Sequence, residues 1–388
     1  MRLEELDFDF PEELIAQRPA EPRDSCRLMH LTGDGRCRHT VFSALPGLLR
    51  PGDTLVFNDS KVLPARVQAR KTTGGGVEIL FLRPLEGDAE TSPGLGAGSG
   101  GGGVRPGESW EALARPSHRL RAGQELLLAG GDRLTLRSLL GEGRWVVQGP
   151  PGRSLVAAME EQGRLPLPPY IKTYPEDPAG YQTVYARVSG SAAAPTAGLH
   201  FTPELLRRLE DTGAHAAFVT LHVGLDTFQP IRESVVEDHR IHRETYSVRP
   251  EALRQIREAA AAGDRCVAVG TTATRVLETL ARTGALDGAA TDGPVFGSTD
   301  IFITPGHRFR AVDALLTNFH LPRSSVLALT MAFAQAERLQ EAYREAIALR
   351  YRFFSFGDAM LIDRPEDGGG TAGSALTGDL QGGTYEES

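Results

Sequence analysis

The sequence is poor in cysteine: Cys26, Cys37 and Cys266 are three residues at unrelated spacings in a chain of 388. An odd, scattered set excludes a disulfide framework and a C-x-x-C metal or redox motif, leaving reduced, buried thiols as the expectation. Long apolar runs are missing as well; the longest, such as 326–334, are too short to span a bilayer. The first ten residues are acidic and interrupted by charge, the opposite of a basic region followed by an apolar signal core, so a cytoplasmic protein with no membrane contact is expected. Nor is there an excess of positive charge: 42 Lys and Arg stand against 50 Asp and Glu, a formal net charge of −8. That balance argues against nonspecific coating of nucleic acid, yet it permits a local basic face that grips one folded RNA.

What is present reads as globular, with 40% hydrophobic and 24% charged residues in a chain long enough for two cores. Segment 63–150 holds short runs rich in strand formers at 66–71, 77–83, 110–115, 124–129, 133–140 and 144–148. Gly-rich turns separate them, and no helical period intervenes. This predicts an inserted antiparallel β-barrel or sandwich, with a flexible loop at 86–103, where Gly, Ala, Ser and acid dominate. Residues 1–62 and 151–364 alternate strands with helices, which predicts an α/β catalytic domain. Strands are expected at 215–223, 244–248, 266–269, 300–304 and 359–362, and helices at 250–262, 272–283 and, as one interrupted or two adjacent pieces, 324–350. Residues 365–388 read as a disordered tail.

Two formal motifs carry no weight. The G-x-G-x-x-G match at 96–101 follows no strand and opens no helix, and the Asn58-Asp59-Ser60 sequon has no meaning in a cytoplasmic protein. The strand-turn-helix junction at 267–275 is more informative. Amides, hydroxyls and the positive end of a helix dipole suit Thr271, Thr272 and Arg275 to a carboxylate or phosphate, and a simple threonine helix cap fits equally. Arg275 and Glu278 share a helix face, either as a surface pair or pointing into a site.

The small-residue stretch 189–201 reads as a pocket wall rather than a linker, because it lacks charge and lets backbone approach a ligand. His200, His222, His239, His242 and His320 cluster in the second half, but no H-E-x-x-H pattern supports zinc, so proton-transfer or structural roles are preferred and no metal is expected. His222 is favoured because it stands at a strand end, where α/β enzymes place ligands. Asn318 and His320 flank Phe319 and suit reading a base edge or holding a loop, whereas Ser324 suits a helix cap. Arg18, Arg23, Arg27, Lys61 and Arg66 offer cations for phosphates, against the commoner outcome of solvated charge.

Taken in order, the strings at 8–16, 56–62, 193–201, 220–230, 269–275, 299–303, 317–322 and 351–360 resemble the S-adenosylmethionine:tRNA ribosyltransferase-isomerase family. Most of the chain outside 86–103 and the tail is covered. The resemblance implies transfer and isomerisation of the ribosyl group of S-adenosylmethionine onto 7-aminomethyl-7-deazaguanine in a tRNA anticodon stem-loop, giving epoxyqueuosine and releasing adenine and methionine. S-adenosylmethionine is then a co-substrate and no other cofactor is needed; a monomer is expected. The implied proton abstraction from the 5′ carbon beside the sulfonium needs a base, for which His222 or His200 is assigned, oriented by Asp226 or Glu244. Thr271, Thr272 and Arg275 form the expected anion site. Thr196, Gly198, Asp300, Asn318 and His320 complete the substrate contacts, and Arg18, Arg23, Lys61 and Arg66 those to RNA. A non-catalytic RNA-binding protein is the alternative, followed by a metal-dependent hydrolase built on the histidines.

Overall fold

The computed structural model describes residues 1–85, 107–175, 177–224, 230–287 and 293–365; the expected flexible loop and, from residue 366, the expected tail lie outside them, as does Asp226. The chain opens with β1 (Arg27–Leu31), β2 (Cys37–Val41), β3 (Thr54–Asn58) and the short β4 (Ser60–Val62). Six strands follow: β5 (Arg66–Lys71), β6 (Gly76–Pro84), β7 (Ser109–Arg115), β8 (Glu125–Leu128), β9 (Arg133–Gly141) and β10 (Arg144–Gln148). They close into an antiparallel barrel in the order β10-β7-β6-β5-β8-β9. Alternation fills it: Val77, Ile79 and Phe81 of β6 point inward against Trp110, Leu134 and Val147. Helix α1 (Leu155–Gln162) packs Leu155, Ala158 and Met159 into the same core.

The chain then builds β11 (Val188–Ser191), α2 (Pro203–Asp211), β12 (His215–Leu221), β13 (Glu244–Val248), α3 (Pro250–Ala262), β14 (Cys266–Val269), α4 (Thr271–Arg282) and β15 (Val295–Thr299). It finishes with β16 (Ala314–Asn318), α5 (Ser325–Ala334), α6 (Ala336–Ala348) and β17 (Ala359–Asp363). The large sheet has nine strands in the order β15-β13-β12-β3-β14-β16-β17-β1-β2, with β12, β3, β14 and β16 mutually parallel at its centre. Both faces are covered, as a parallel centre requires. On β3, Val56 turns toward the core formed with α3, α4 and α5, while Leu55 and Phe57 turn toward α2 and Phe42. A mixed α/β body with a closed barrel is thus the fold class. Among the described residues no helix is long and apolar enough to cross a membrane.

One expected strand is absent. Residues 300–304 are extended but unpaired: Ile301 and Ile303 are buried, which produced the strand-like pattern, yet the Ile301 amide donates to Thr299 Oγ1 and its carbonyl accepts from Arg275 Nε. Side chains have taken the hydrogen bonds that a neighbouring strand would supply.

Candidate active site

The carboxyl ends of β12, β3, β14 and β16 lie side by side, which is where open α/β sheets bind ligands. They deliver His222, Asn58, the Gly270–Thr272 turn and Asn318 to one place. The 189–201 stretch runs over this edge. β11 pairs in parallel with β4, and the helical turn Thr196–His200 is wholly buried after Thr196. Glycine is required twice in this layer. A Cβ on Gly198 would fall 1.9 Å from the Tyr185 hydroxyl, and one on Gly190 would fall 2.7 Å from His222 Cε1.

Hydrogen bonds assign the buried histidines different duties. Asn318 Nδ2 donates to the Phe354 carbonyl at 3.2 Å, and a carbonyl can only accept, so this atom is the amide nitrogen. The same nitrogen lies 2.9 Å from His200 Nε2, which must therefore accept, so His200 carries its proton on Nδ1 and presents it to Cys26 Sγ at 3.3 Å. The Asn318 carbonyl oxygen accepts from Thr196 Oγ1 at 3.0 Å. Both nitrogens of His200 are consumed in holding Asn318 and, through it, Thr196. His200 is a positioning residue, and burial pushes its pKa down to about 4. His320 is similarly committed, with Nε2 2.9 Å from Thr317 Oγ1 and a pKa pushed by burial to about 3.

His222 differs. Its Nδ1 is buried without a hydrogen-bond partner. Burial lowers its pKa to about 4, and the charge of Asp59 partly opposes that shift. The imidazole is therefore neutral at physiological pH, and a nearby carboxylate is in place for the cation it becomes on taking a proton. Ser60 Oγ, Thr183 Oγ1 and Tyr185 Oη, in the same layer, are also buried without protein partners. Such orphans are rare in folded chains, and here they line one wall.

Asp59 is 1% exposed; it accepts from Thr220 Oγ1 at 2.6 Å and from Arg187 Nη2 at 2.9 Å. Asn58 Nδ2 donates to the Leu221 carbonyl at 3.0 Å and to Thr272 Oγ1 at 3.2 Å, fastening β3 to β12 and α4. In the sequence neither residue stands out beyond its place in a family string. The available signal was two polar residues directly after a fully apolar run, where burial demands a purpose.

The helix junction is rearranged relative to expectation. Gly270, with φ of 89°, occupies the N-cap position, and no side chain caps α4, so neither Thr271 nor Thr272 is the cap. The first-turn amides keep their donor capacity and the dipole's positive end faces the strand edge. Arg275 is not a free cation there. It is 8% exposed and ion-paired with Glu244, whose carboxylate also accepts from the Gly224 amide at 2.9 Å. Glu278 is not its partner: it accepts from the Arg310 and Ala311 amides and pairs with His307 at 3.2 Å.

The remaining candidates lie apart. Asp300 is exposed and 3.4 Å from Arg243, outside the strand-end cluster. Arg23 donates to the Gln182 and Ala179 carbonyls at 2.7 and 2.8 Å, so its guanidinium braces the 178–182 turn. Arg66 pairs with Glu78 at 2.7 Å, and the Arg18 carbonyl accepts from Arg352 at 3.4 Å. Arg27 pairs with buried Asp358 at 3.1 Å. Lys61 is exposed on β4 beside the strand edge. Among the described residues, no three His, Cys, Asp or Glu side chains are grouped to hold a metal ion.

The family model described as "Queuosine biosynthesis protein" matches residues 3–362. The S-adenosylmethionine:tRNA ribosyltransferase-isomerase of Rubrobacter xylanophilus is 52% identical over 363 residues, covering 93% of this chain and 98% of that protein. The enzyme of the same name from Anaeromyxobacter sp. (strain Fw109-5) is 49% identical over 369 residues, covering 94% and 100%. A crystal structure of S-adenosylmethionine tRNA ribosyltransferase from Thermotoga maritima, 38% identical, superposes with a TM-score of 0.50 over 92% of this chain and 99% of that one.

Proposed function

This chain belongs to the queuosine biosynthesis family of S-adenosylmethionine:tRNA ribosyltransferase-isomerases, and from that premise we propose how its own residues carry the reaction. The enzyme transfers the ribosyl group of S-adenosylmethionine to 7-aminomethyl-7-deazaguanine in tRNA and isomerises it to the epoxycyclopentanediol of epoxyqueuosine, releasing adenine and methionine. The observation that carries the assignment of roles is the unpartnered, buried Nδ1 of His222 at the carboxyl edge of the parallel strands.

His222 is the base that takes the proton from the 5′ carbon beside the sulfonium. Losing that proton turns the sulfonium into a neutral ylide, while the charge moves to the imidazole, where the buried Asp59 carboxylate opposes it. The depressed pKa keeps His222 unprotonated before the substrate arrives; the sulfonium, by acidifying the adjacent carbon, brings the proton affinities of the two partners closer. The uncapped amides of α4 at Thr271 and Thr272 donate to the methionine carboxylate. Asn318, whose two N–H bonds are taken by His200 and Phe354, and Thr196, whose hydroxyl donates to Asn318, keep oxygen lone pairs that accept from the adenosine's amine and hydroxyl donors. Glu244 and Arg275 neutralise each other and brace the loop after β12 rather than touching the reacting atoms. No other cofactor enters this scheme. The RNA is engaged through its anticodon stem-loop, by a single copy of the chain in the cytoplasm.

The test is incubation of the purified protein with S-adenosylmethionine and an anticodon stem-loop carrying 7-aminomethyl-7-deazaguanine, followed by mass spectrometry. A ribosyl-derived mass gain on the RNA with free adenine and methionine is expected. RNA bound but unchanged, with no adenine released, would instead make the chain a binding protein.

A further inference from the structure

The barrel meets the α/β body at one end. The chain enters at the start of β5 and leaves from the end of β10, and α1 with the Arg66–Arg164 bridge closes that side. The opposite rim is made by the β5–β6 hairpin, the segment after β7 and the β9–β10 hairpin. Side-chain bonds tie the three into one surface: Lys71 Nζ donates to the Arg119 carbonyl at 2.9 Å, and Trp145 Nε1 donates to Ser117 Oγ at 2.9 Å.

Charge on this rim is distributed unlike that on the rest of the barrel. Elsewhere most of the cations are spent in pairs: Arg66 on Glu78, Arg83 and Arg144 on Glu111, Arg133 on Glu125, and Arg153 on Glu161, while Arg137 is held by a hydrogen bond to Gln148. On the rim, Arg70, Arg115, Arg119 and Arg121 are exposed and have no ion-pair partner among the described residues. The nearby carboxylates Glu78 and Glu125 are already engaged, which leaves Glu142 at the hairpin tip as the opposing charge. A chain of net charge −8 thus holds a compact unpaired cationic surface at one place. Unpaired guanidiniums gathered on one rim suit the phosphates of a nucleic-acid backbone, which bind by charge and release counterions.

We propose that this rim is a second RNA contact, taking the phosphate backbone of the substrate tRNA at a distance from the reacting nucleotide. The inference rests on the tRNA substrate of the preceding section. Strands of four to nine residues separate the rim from the α/β side, a contour of roughly 13–30 Å at about 3.3 Å per residue, shortened along the barrel axis by strand tilt. On this proposal the rim contacts the tRNA beyond the anticodon stem-loop, so that an isolated stem-loop leaves it unused.

The test compares full-length tRNA with the isolated stem-loop in filter binding and turnover, using the triple variant Arg115→Ala/Arg119→Ala/Arg121→Ala. Kd and KM for full-length tRNA are expected to rise roughly tenfold, and the slope of log binding constant against log salt to flatten by about 2 to 3, at roughly 0.7–0.9 per lost phosphate contact. The KM for S-adenosylmethionine, turnover at saturating RNA and binding of the stem-loop should not change. The triple Lys variant, which keeps the charge, should bind as wild type does. An unchanged salt slope for full-length tRNA overturns the proposal, and so does an equal loss on the stem-loop, which would place the rim at the reacting end. Should the alanine triple fold poorly, Arg121→Glu alone decides by the same slope. Binding is read without turnover, so wild-type protein that binds tRNA through this rim but releases no adenine would refute the catalytic reading and leave this one standing.

Discussion

Gly190 lies flat against the imidazole of His222, where a Cβ would stand 2.7 Å from Cε1 and 2.8 Å from Nδ1. With φ at 143°, its backbone also occupies a region that other residues rarely adopt. The two facts together make the glycine a wall that sets the angle of the ring. Gly190→Ala should move His222 by several tenths of an ångström or more, and a misplacement of that order costs up to about a hundredfold in rate. Steady-state kinetics should therefore show a fall in kcat well beyond any rise in the KM for S-adenosylmethionine; wild-type kcat in a folded Gly190→Ala enzyme would separate His222 from the chemistry.

The two histidines first assigned as alternatives for the base should respond differently to removal. His222→Ala deletes an atom with no protein partner, so the fold should keep its stability while turnover falls by about 10²–10⁴. His200→Ala strands the Asn318 amide and the Cys26 thiol, and costs about 1–3 kcal/mol of unfolding free energy with a rise in the KM for S-adenosylmethionine. Urea titration beside kinetics distinguishes them: a destabilised but inactive His222→Ala, or a stable and inactive His200→Ala, would reverse the roles.

Much of the architecture could be read beforehand because it follows from local pattern. The alternation at 77–83, the apolar 266–269 strand and the apolar run beginning at 325 behind its Ser324 cap each state their element in one window. What could not be read is what long-range pairing decides. Arg275 and Glu244 are 31 positions apart, and only the juxtaposition of α4 and β13 turns an expected anion-binding cation into half of a buried pair. Asn58 and Asp59 read as no more than a formal sequon inside a family string until β12 supplied Leu221 and Thr220 as their partners. His200 and His222 look alike in sequence, and the difference between them lies in the partners their ring nitrogens find.

Breaking the Glu244–Arg275 pair from one side should be worse than removing it. Both groups are at least nine-tenths buried, and Arg275 Nη2 already lacks a partner, so Glu244→Gln leaves a guanidinium charge uncompensated. A loss of about 3–5 kcal/mol is expected. The double variant Glu244→Gln/Arg275→Met should recover part of that loss in chemical denaturation. If the double variant is less stable than the additive sum of its singles, the pair is a scaffold that the surrounding loop cannot do without.

Stability should fall on the acid side of neutrality through the buried histidines. His200, His222 and His320 have folded pKa values of about 4, about 4 and about 3, against an ordinary value of 6.5. Below pH 6.5 the unfolded chain binds protons that the folded chain refuses, so the contribution of these groups is full above 6.5 and is lost as pH drops toward the folded values. The slope approaches about 1 kcal/mol per pH unit for each histidine within that window. Urea unfolding at pH 7.5, 6.0 and 5.0 measures it, and His222→Gln should reduce the slope by the share of one proton while leaving the pH 7.5 value nearly unchanged. A His222→Gln slope identical to wild type would mean that His222 is protonated in the folded state at pH 5, a state in which it has no lone pair to offer the 5′ carbon.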